Sequence, residues 1–340
     1  MRERFSKLRR DSHHGGWVLM THDPEREQLL AVSKESWPQD RFNVLKDPQT
    51  AGAVVVWSAG SNLPGVGPRM VRVAANRFPL YRVEGQEDRE GVGMYDMMRG
   101  VGAHEIVIES DNPQDTLITM KPQHYALTLQ AFRERITDLR KDQRMRSFSI
   151  FREWECGKPV HPHSQLIASA IIPLGLKDEL VAARDYYNYK ERCLFCDAIK
   201  QEINDKERLV KATADYVSYC PFASRYPFEV HLFSRRHSAD FCTEPPDRFP
   251  ALAEMIRDAA YRLEAAVPGW RILMVLHTMP VFPPRREYVC TISLDYHWHI
   301  EFLPQPPGFL DWFARTGTHV ECTPPEDAAA YLRGVKVSAP

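Results

Sequence analysis

The sequence predicts an α+β protein with an internal duplication, in which antiparallel sheets are each packed with one long helix. Short apolar or alternating runs, which are typical of strands, occur in both halves of the chain. Two stretches with apolar residues at helical spacing, 122–141 and 247–266, predict one long amphipathic helix in each half. A His-x-His strand closes each pass, at His161-Pro162-His163 and at His297-Trp298-His299, and this shared order indicates duplication.

The predicted strands follow one another in a similar order in the two halves. In the first half they are 53–57, 70–74, 105–109, 148–152 and 165–172. In the second half they are 216–220, 228–234, 271–277, 288–293 and 297–303. Many connections are too short for a crossover helix, so we expect antiparallel pairing, and the two sheets can join into a larger one. A boundary near 180–190 divides the chain into domains 1–185 and 186–340.

Composition and charge narrow the class of protein. The 340 residues carry a formal net charge of -1 and a pI of about 6.9, with no basic run that would follow a nucleic-acid backbone. No apolar stretch reaches the ~20 residues needed to cross a bilayer, and the charged N-terminus lacks the apolar core of a secretory signal. Of the seven cysteines only Cys193 and Cys196 lie close together, which favours a reducing compartment and a cytoplasmic location.

The segment His161-Pro162-His163-Ser164-Gln165 carries the predicted chemistry. Alternate residues of a strand face the same way, so His161, His163 and Gln165 form one polar row. A neutral imidazole nitrogen can attack phosphorus and form a phosphoramidate, which divides group transfer into two displacements. Gln165 adds an uncharged donor for phosphate oxygens that does not compete as a nucleophile. The simpler interpretation is a pair of half-buried histidines beside a turn.

Several segments resemble the galactose-1-phosphate uridylyltransferase family, a branch of the histidine-triad superfamily in which Gln replaces the third His. The motif H-P-H-S-Q is similar to the family signature. Four further segments match family patterns in the same order: V-R-V-A-A-N-R-F-P at 71–79, G-A-H-E-I-V-I-E-S at 102–110, Y-P-F-E-V at 226–230 and H-W-H at 297–299. The resemblance implies two histidine-triad-like halves in one chain, and a homodimer of such chains.

The resemblance also implies roles for individual residues. His163 would be the nucleophile that becomes nucleotidylated, His161 would orient it or bind a metal, and Gln165 would hold the phosphate. The implied substrate-binding residues are Asn76 at the nucleotide, Phe78 and Pro79 at the base, and Glu153, Lys158 and Ser164.

A candidate metal site lies in the second half. Cys193-Leu194-Phe195-Cys196 is a C-x-x-C turn, which lets two thiolates bind one tetrahedral ion. Resemblance to the ADP-glucose phosphorylase branch of the family implies one closed structural zinc site on Cys193, Cys196, His237 and His297. A competing assignment, similar to family members with an iron-type site, uses His277, His297 and His299 with a carboxylate. A redox role for the two thiols, without zinc, is the remaining alternative.

The first half departs from the family pattern at two places. No C-x-x-C precedes the V-R-V strand, and Pro113 stands where a further His ligand is usual, so the first-half zinc site is expected to be lost. The loop before H-P-H is shortened and lacks the usual Ser, and Glu153 replaces an Asn. Lys158 is the candidate to replace the function of the missing Ser with a charge. A carboxylate near a phosphate is unfavourable unless it is paired.

These features predict an enzyme, a nucleotidyltransferase that moves a nucleoside monophosphate from a nucleoside diphosphate sugar to a sugar phosphate or to phosphate. The family's commonest case has a uridylyl donor and a hexose 1-phosphate acceptor, and the main variant has an adenylyl donor with phosphate. Two alternatives stay open at this stage. Water as the acceptor makes the protein a nucleotidyl hydrolase, and the altered loop suits an inactive nucleotide-sugar-binding protein.

Overall fold

The structure, a computed structural model, describes residues 7–10, 17–20, 45, 54–63, 67–158, 160–281, 291–307 and 319–337. Its strands are β1 (Lys7–Arg10), β2 (Trp17–Met20), β3 (Val55–Leu63), β4 (Gly67–Ala75), β5 (Glu90–Val92), β6 (Tyr95–Arg99), β7 (Gly102–Ile108), β8 (Ser147–Glu155), β9 (His163–Ser169), β10 (Leu209–Ala212), β11 (Tyr216–Tyr219), β12 (Val230–Ser234), β13 (Arg271–His277) and β14 (His299–Gln305). Its α-helices are α1 (Pro122–Leu139), α2 (Leu174–Lys190), α3 (Leu194–Asp205), α4 (Phe249–Ala266), α5 (Ile292–Asp295) and α6 (Pro325–Gly334).

Ten strands form one sheet in the order β10-β11-β12-β14-β13-β8-β9-β7-β4-β3, and every neighbouring pair is antiparallel. Strands β13 and β8 are the central pair. Counting outward, β14, β12, β11 and β10 take the places on one side that β9, β7, β4 and β3 take on the other. The second half therefore repeats the strand order of the first, and the two sheets join edge to edge. The predicted α+β class with antiparallel sheets is confirmed.

Helices α1 and α4 cover one face of this sheet and share a single apolar core. Leu129, Phe132 and Ile136 of α1 are fully buried at the spacing of one helix face, and Ile256 and Leu263 of α4 are buried in the same way. Burying each such side chain contributes about 1.5–3 kcal/mol. Both helices carry a proline in the first turn, where the missing N–H has no intrahelical partner to lose. Within the described chain, no helix is both long and apolar enough to cross a bilayer.

The central β8–β13 pair joins the two halves. Trp154 of β8 lies opposite Ile272 of β13, and its indole N–H donates to Glu264 of α4 at 3.1 Å. Phe151 lies opposite Val275 on the other face of the sheet. A strand of the first half is thus packed on a helix of the second half, so each half completes the core of the other.

A second, smaller sheet in the order β2-β1-β6-β5 is not among the predicted strands. Strand β1 reads Lys-Leu-Arg-Arg, which has no apolar alternation for a sequence argument to detect. Its one apolar residue, Leu8, is fully buried beside Met98 and Ala170. Contacts with distant residues, rather than a local pattern, make this segment a strand.

The predicted strand 288–293 is wrong over its described part. Residues 282–290 lie outside the described residues, and Ile292–Asp295 forms the short helix α5. Asp295 is buried and accepts a hydrogen bond from Thr291 Oγ1 at 2.6 Å, which closes this helical turn.

The predicted domain boundary at 185 falls inside helix α2. Glu179 of this helix lies 3.0 Å from His277 Nδ1 on β13, a strand of the second half. We propose that the division into two halves lies just before α2, at about residue 173, so that the whole helix belongs to the second half.

Candidate active site and metal centre

Strand β9 presents His163 and Gln165, two residues of the predicted row, on the face of the sheet opposite α1 and α4, while the buried His161 precedes the strand. Ser164, Leu166 and Ala168 are fully buried on the helix side. His163 and Gln165 alternate with them, and both are partly exposed on the other side. The alternation of a strand therefore separates the chemistry of this segment from its packing.

The hydrogen bonds of His163 define which ring nitrogen is free. Its Nδ1 lies 2.8 Å from the carbonyl oxygen of His161, and since a carbonyl only accepts, Nδ1 carries the proton. The Nε2 atom then holds a lone pair. Burial lowers the pKa of His163 below its ordinary value, against an opposite effect of the His161 carbonyl. The ring is therefore neutral at pH 7, which is the form that attacks phosphorus.

His104 fixes the orientation of Gln165. The His104 Nδ1 accepts from the backbone N–H of Leu80 at 3.1 Å, so its Nε2 carries the proton and donates to Gln165 Oε1 at 2.8 Å. The Gln165 amide nitrogen is left to donate to a ligand, as a phosphate oxygen requires. His104 is a functional residue that the sequence reasoning missed. His104 lies in the segment 102–110, and its partner Gln165 is on the neighbouring strand β9, which the sequence alone does not pair with β7.

Asn76 lies in the same polar network. Its Nδ2 lies 3.1 Å from His104 Nε2, which is a contact between two donors and not a hydrogen bond in this tautomer, and its Oδ1 accepts from the backbone N–H of Phe78 at 2.9 Å. This local turn leaves Phe78 and Pro79 partly exposed directly after Asn76. The structure thus brings Asn76 to His104, the residue that binds Gln165, and Phe78 and Pro79 follow Asn76 along the chain.

Ser164, a predicted substrate contact, faces away from the side of β9 that carries His163 and Gln165. Its side chain is fully buried on the helix side of β9, and its hydroxyl donates to Glu109 Oε1 at 2.5 Å. Glu109 is also buried and pairs with Arg152 Nε at 2.9 Å. Ser164 therefore anchors β9 to a buried ion pair and has no access to a ligand.

The two charged candidates before the motif are both paired. Glu153 Oε1 lies 3.3 Å from Arg271 Nε of β13, and both side chains are about half exposed. Lys158 Nζ lies 2.5 Å from Glu155 Oε1, so its charge is engaged locally. The compensating charge for Glu153 is therefore Arg271, which belongs to the other half and which the sequence reasoning missed.

The surroundings of His161 do not fit a zinc site. His161 Nε2 donates to the carbonyl oxygen of Ser110 at 2.7 Å. The single cysteine among residues 1–185 is Cys156, and burial raises its pKa to about 12, so it is an uncharged thiol. In the described part of the chain, the groups of side chains that are able to hold a metal all lie in the second half.

The predicted zinc ligands come together in the second half. The ligand atoms of Cys193, Cys196, His237 and His297 all lie within 4.8 Å of one another. Cys193 and Cys196 begin helix α3, while His237 follows β12 and His297 precedes β14. The Cys196 sulfur lies 3.3 Å from Nδ1 of His237 and 3.6 Å from Nδ1 of His297. Two sulfurs and two imidazole nitrogens are a donor set that suits tetrahedral zinc.

Two further observations support a metal centre at this cluster. The His237 Nε2 donates to the carbonyl of Ser293 at 2.9 Å, which turns its Nδ1 toward the sulfurs, as metal-binding histidines commonly are oriented. Hydrogen bonding from Cys196, with a smaller contribution from the two histidines, lowers the pKa of the Cys193 thiol. The cluster thus holds a thiolate at neutral pH, the form that binds metal.

The competing histidines form a separate cluster that does not include His297. Glu179, His277, His299 and Glu301 lie together on the side of β13 and β14 that faces away from α4. His277 Nδ1 is 3.0 Å from Glu179, and Arg225 is 2.7 Å from Glu301. The two metal schemes therefore use different residues, and Arg225 already neutralises one carboxylate of the second cluster. Glu179 carries no sequence signal that points to this role.

Sequence comparison places the chain among sugar-nucleotide enzymes. An ADP-glucose phosphorylase of Arabidopsis thaliana is 23% identical over 98% of this chain and 93% of its own length. A galactose-1-phosphate uridylyltransferase of Thermotoga maritima is 25% identical over 69% of this chain and 75% of its own length. The chain is thus similar over most of its length to an ADP-glucose phosphorylase and to a galactose-1-phosphate uridylyltransferase. No family model matches the chain.

Solved structures of similar proteins show the same fold. A uridylyltransferase superposes with a TM-score of 0.74 at 21% identity, covering 96% of this chain and 97% of that chain. The Arabidopsis thaliana ADP-glucose phosphorylase with bound ADP-glucose superposes with a TM-score of 0.73 at 22% identity, covering 97% and 99%. These likenesses show that the chain shares the fold of the two enzymes.

Proposed function

We propose that the protein is a nucleotidyltransferase that carries a nucleoside monophosphate on His163 between a nucleoside diphosphate sugar and a phosphorylated acceptor. One observation carries the proposal: the Nδ1–H of His163 is held by the His161 carbonyl, so that a neutral Nε2 is available on the same face of β9 as the amide donor of Gln165. A binding protein does not need a free nucleophilic nitrogen at this position.

The reaction follows from these contacts in two displacements. The Nε2 lone pair of His163 attacks the α-phosphorus, an N–P bond forms, and the bond to the bridging oxygen breaks. The sugar phosphate leaves with that electron pair. The ring becomes a cation, which the hydrogen bond from Nδ1 to the His161 carbonyl stabilises. An oxygen of the acceptor then attacks the same phosphorus, and His163 leaves with the N–P electron pair and returns to its neutral form.

Charges around the row suit a phosphorylated ligand. Arg271 pairs with Glu153 at 3.3 Å, so the carboxylate that replaces the usual Asn is not an isolated negative charge. The Gln165 amide supplies a donor without adding charge. The cited groups therefore do not repel an acceptor that carries a phosphate, which supports transfer as the proposed reaction.

The donor that we propose first is a uridine diphosphate hexose, with a hexose 1-phosphate as the acceptor, since this is what the uridylyltransferase relative is named for. An adenosine diphosphate hexose with phosphate as the acceptor is the second candidate. It is favoured by the relative that matches nearly the whole chain, an ADP-glucose phosphorylase, and by the cysteine–histidine cluster of the second half.

We also propose zinc as the metal of the Cys193, Cys196, His237 and His297 cluster. Four protein ligands leave no position for substrate, so the ion would stabilise the fold and would take no part in group transfer. A homodimer and a cytoplasmic location remain predictions, and light scattering of the purified protein would check the former.

Intact-mass measurement tests the proposed function directly. Purified protein is incubated with UDP-hexoses and ADP-hexoses and kept out of acid, because phosphoramidates are acid-labile. The expected result is an adduct of one nucleoside monophosphate that is absent from His163→Ala, and the mass identifies the base. A melting curve of the variant shows that it is folded. Tight nucleotide binding without any adduct would contradict the proposal and favour the inactive binding protein.

A further inference from the structure

A carboxylate in the loop after β7 gathers three side-chain donors close to the candidate nucleophile. Asp115 accepts from Ser110 Oγ at 2.6 Å, from Asn112 Nδ2 at 2.7 Å and from Arg69 Nε at 3.3 Å. Ser110 is fully buried, and the Asp115 side chain is only 16% exposed. Such a shielded, fully bonded carboxylate fixes the positions of its donors.

This carboxylate is connected to His163 by consecutive hydrogen bonds. The hydroxyl of Ser110 is bound to Asp115, and the carbonyl of the same Ser110 accepts from His161 Nε2 at 2.7 Å. The carbonyl of His161 in turn accepts from His163 Nδ1 at 2.8 Å. Each bond sets the next group, so the position of Ser110 determines how the His161 carbonyl meets the His163 ring.

The loop is also held on its other side. The backbone N–H of Glu109 donates to the carbonyl of Pro162 at 3.0 Å, inside the H-P-H motif. The carbonyl of Glu109 is bound by His124 Nε2 of α1 at 2.7 Å, and Ser61 Oγ of β3 lies 2.8 Å from His124 Nδ1. The loop therefore links β3 and α1 to the segment that carries both histidines.

We propose that Asp115 is a positioning residue for the candidate nucleophile: it holds Ser110, and through it His161, so that the His163 ring is fixed by hydrogen bonds without a first-half metal. The expected effect on the rate of nucleotidyl transfer rests on the proposed function. The expected effect on the orientation of the His163 ring does not. A carboxylate is needed because two oxygens accept three donors, and Arg69 balances its charge. In Asp115→Asn, the amide nitrogen would replace one accepting oxygen, so one of the three donors would face an N–H group in place of an acceptor.

The test compares Asp115→Ala and Asp115→Asn with Asp111→Ala. Asp111 is an exposed carboxylate of the same loop, and among the described residues its side chain accepts one long contact of 3.4 Å from the backbone N–H of Met70. The rate of nucleotidyl-His163 formation is measured in single turnovers with UDP-hexose and ADP-hexose. Nitrogen-15 spectra of histidine-labelled protein report the tautomers of His161 and His163, which are assigned with His163→Ala.

We expect Asp115→Ala to slow adduct formation about 10–100-fold with a much smaller change in the concentration of donor at half-saturation. The His163 spectrum should change from the single Nδ1–H form to a mixture of tautomers. Asp115→Asn, which keeps one acceptor oxygen, should lie between wild type and Asp115→Ala. Asp111→Ala should match wild type in both measurements. Metal analysis of the wild type should give no zinc beyond the second-half site.

The spectra and the rates separate the two proposals. A wild-type rate and an unchanged His163 tautomer in both Asp115 variants would overturn the inference and leave the nucleotidyltransferase proposal standing. A changed tautomer in a protein whose wild type forms no adduct would uphold the role of Asp115 and reject nucleotidyl transfer. If Asp115→Ala does not fold, Asp115→Asn carries the comparison, and wild-type behaviour of that variant would equally count against the inference.

Discussion

The side-chain amide of Gln165 is held in one orientation because its Oε1 accepts a hydrogen bond from His104 Nε2. Its amide nitrogen therefore faces a bound phosphate as a donor. We predict that Gln165→Glu lowers the rate of adduct formation about 100–1000-fold, since it replaces a phosphate donor by a negative charge. Single-turnover mass measurements give the rate. Gln165→Met, which removes the donor without adding charge, should be slowed less. Equal rates for the Glu variant and wild type would show that Gln165 does not contact the phosphate.

The pKa of His163 sets the pH range of the reaction. Burial lowers this pKa, so the ring takes up a proton only below the ordinary histidine value of about 6.5. Protonation removes the Nε2 lone pair. We therefore predict that adduct formation is independent of pH above about 6.5 and falls on the acid side, with a midpoint below that value.

Single-turnover rates between about pH 5 and pH 8 check this prediction. Melting curves at the same pH values distinguish loss of the nucleophile from loss of the fold. A midpoint above the ordinary histidine value would mean that the protonated ring is favoured in the site, which contradicts a neutral nucleophile.

The sequence alone predicts which face of a strand a residue lies on, because side chains alternate along the strand. His163 and Gln165 share a face of β9 as predicted, because strand periodicity is a local property. Their partners His104, Arg271 and Glu179 are reached only through strand order and register, which a single sequence does not determine. Ser164 was assigned to the substrate although the same alternation turns it to the helix side.

At the scale of elements, an ion pair ties the end of helix α1 to the segment after β12. Arg140 donates two parallel hydrogen bonds to Asp240, at 2.6 and 2.9 Å, and both side chains are less than one-fifth exposed. Asp240 also accepts from Thr278 at the end of β13, at 3.2 Å. One carboxylate thus connects a first-half helix with two segments of the second half.

We predict that Arg140→Met lowers the free energy of unfolding by about 3 kcal/mol, because it leaves a largely buried carboxylate unpaired. Urea denaturation measures the change. Lys141→Met is the matched control: the Lys141 side chain is 77% exposed and its pair with Asp138 should contribute under about 0.5 kcal/mol. Similar losses in both variants would contradict a special role for the Arg140–Asp240 pair.

The same pair predicts a pH dependence of stability. Burial raises the pKa of Asp240, but hydrogen bonds and charge from Arg140 outweigh it, so the net shift is downward. Its folded pKa lies below its unfolded value of about 3.9, so its contribution is complete above that pH and is lost as the pH falls through the lowered pKa. The stability difference between wild type and Arg140→Met should therefore shrink in acid.

The helices that sequence reasoning found and missed differ in their apolar pattern. Helix α1 buries Leu129, Phe132 and Ile136 on one face, a spacing that reads directly from the sequence. Helix α2 buries only Leu176 and Ala183, with the partly buried Leu180 beside them, so its apolar face is shorter and weaker. Its position depends on Glu179 and on the neighbouring C-x-x-C turn, which are contacts of tertiary structure.

At the scale of the whole molecule, the active-site row and the metal centre lie in different halves. We predict that Cys193→Ser with Cys196→Ser removes bound zinc and lowers the melting temperature, since two of the four ligands are lost. Adduct formation by His163 should stay within a few-fold of wild type under conditions where the variant is folded.

Metal analysis of purified protein, with Cys322→Ser as the control, checks this prediction. Cys322 is an exposed free cysteine that lies outside the cluster, so its variant should keep one zinc per chain and the wild-type melting temperature. Unchanged zinc in the double variant would assign the metal to other residues, among which the Glu179 and His277 cluster is the next candidate.

The β8–β13 pair at the centre of the sheet also bears on how the chain reaches this state during synthesis. Strand β8 leaves the ribosome long before β13, and until β13 arrives its outer edge has no partner. A nascent first half therefore offers unpaired backbone groups and the apolar face of Trp154 to any other strand nearby. When β13 has been synthesised, it pairs with β8 and closes that edge. The first half is therefore most prone to pairing with a wrong strand while translation is still under way.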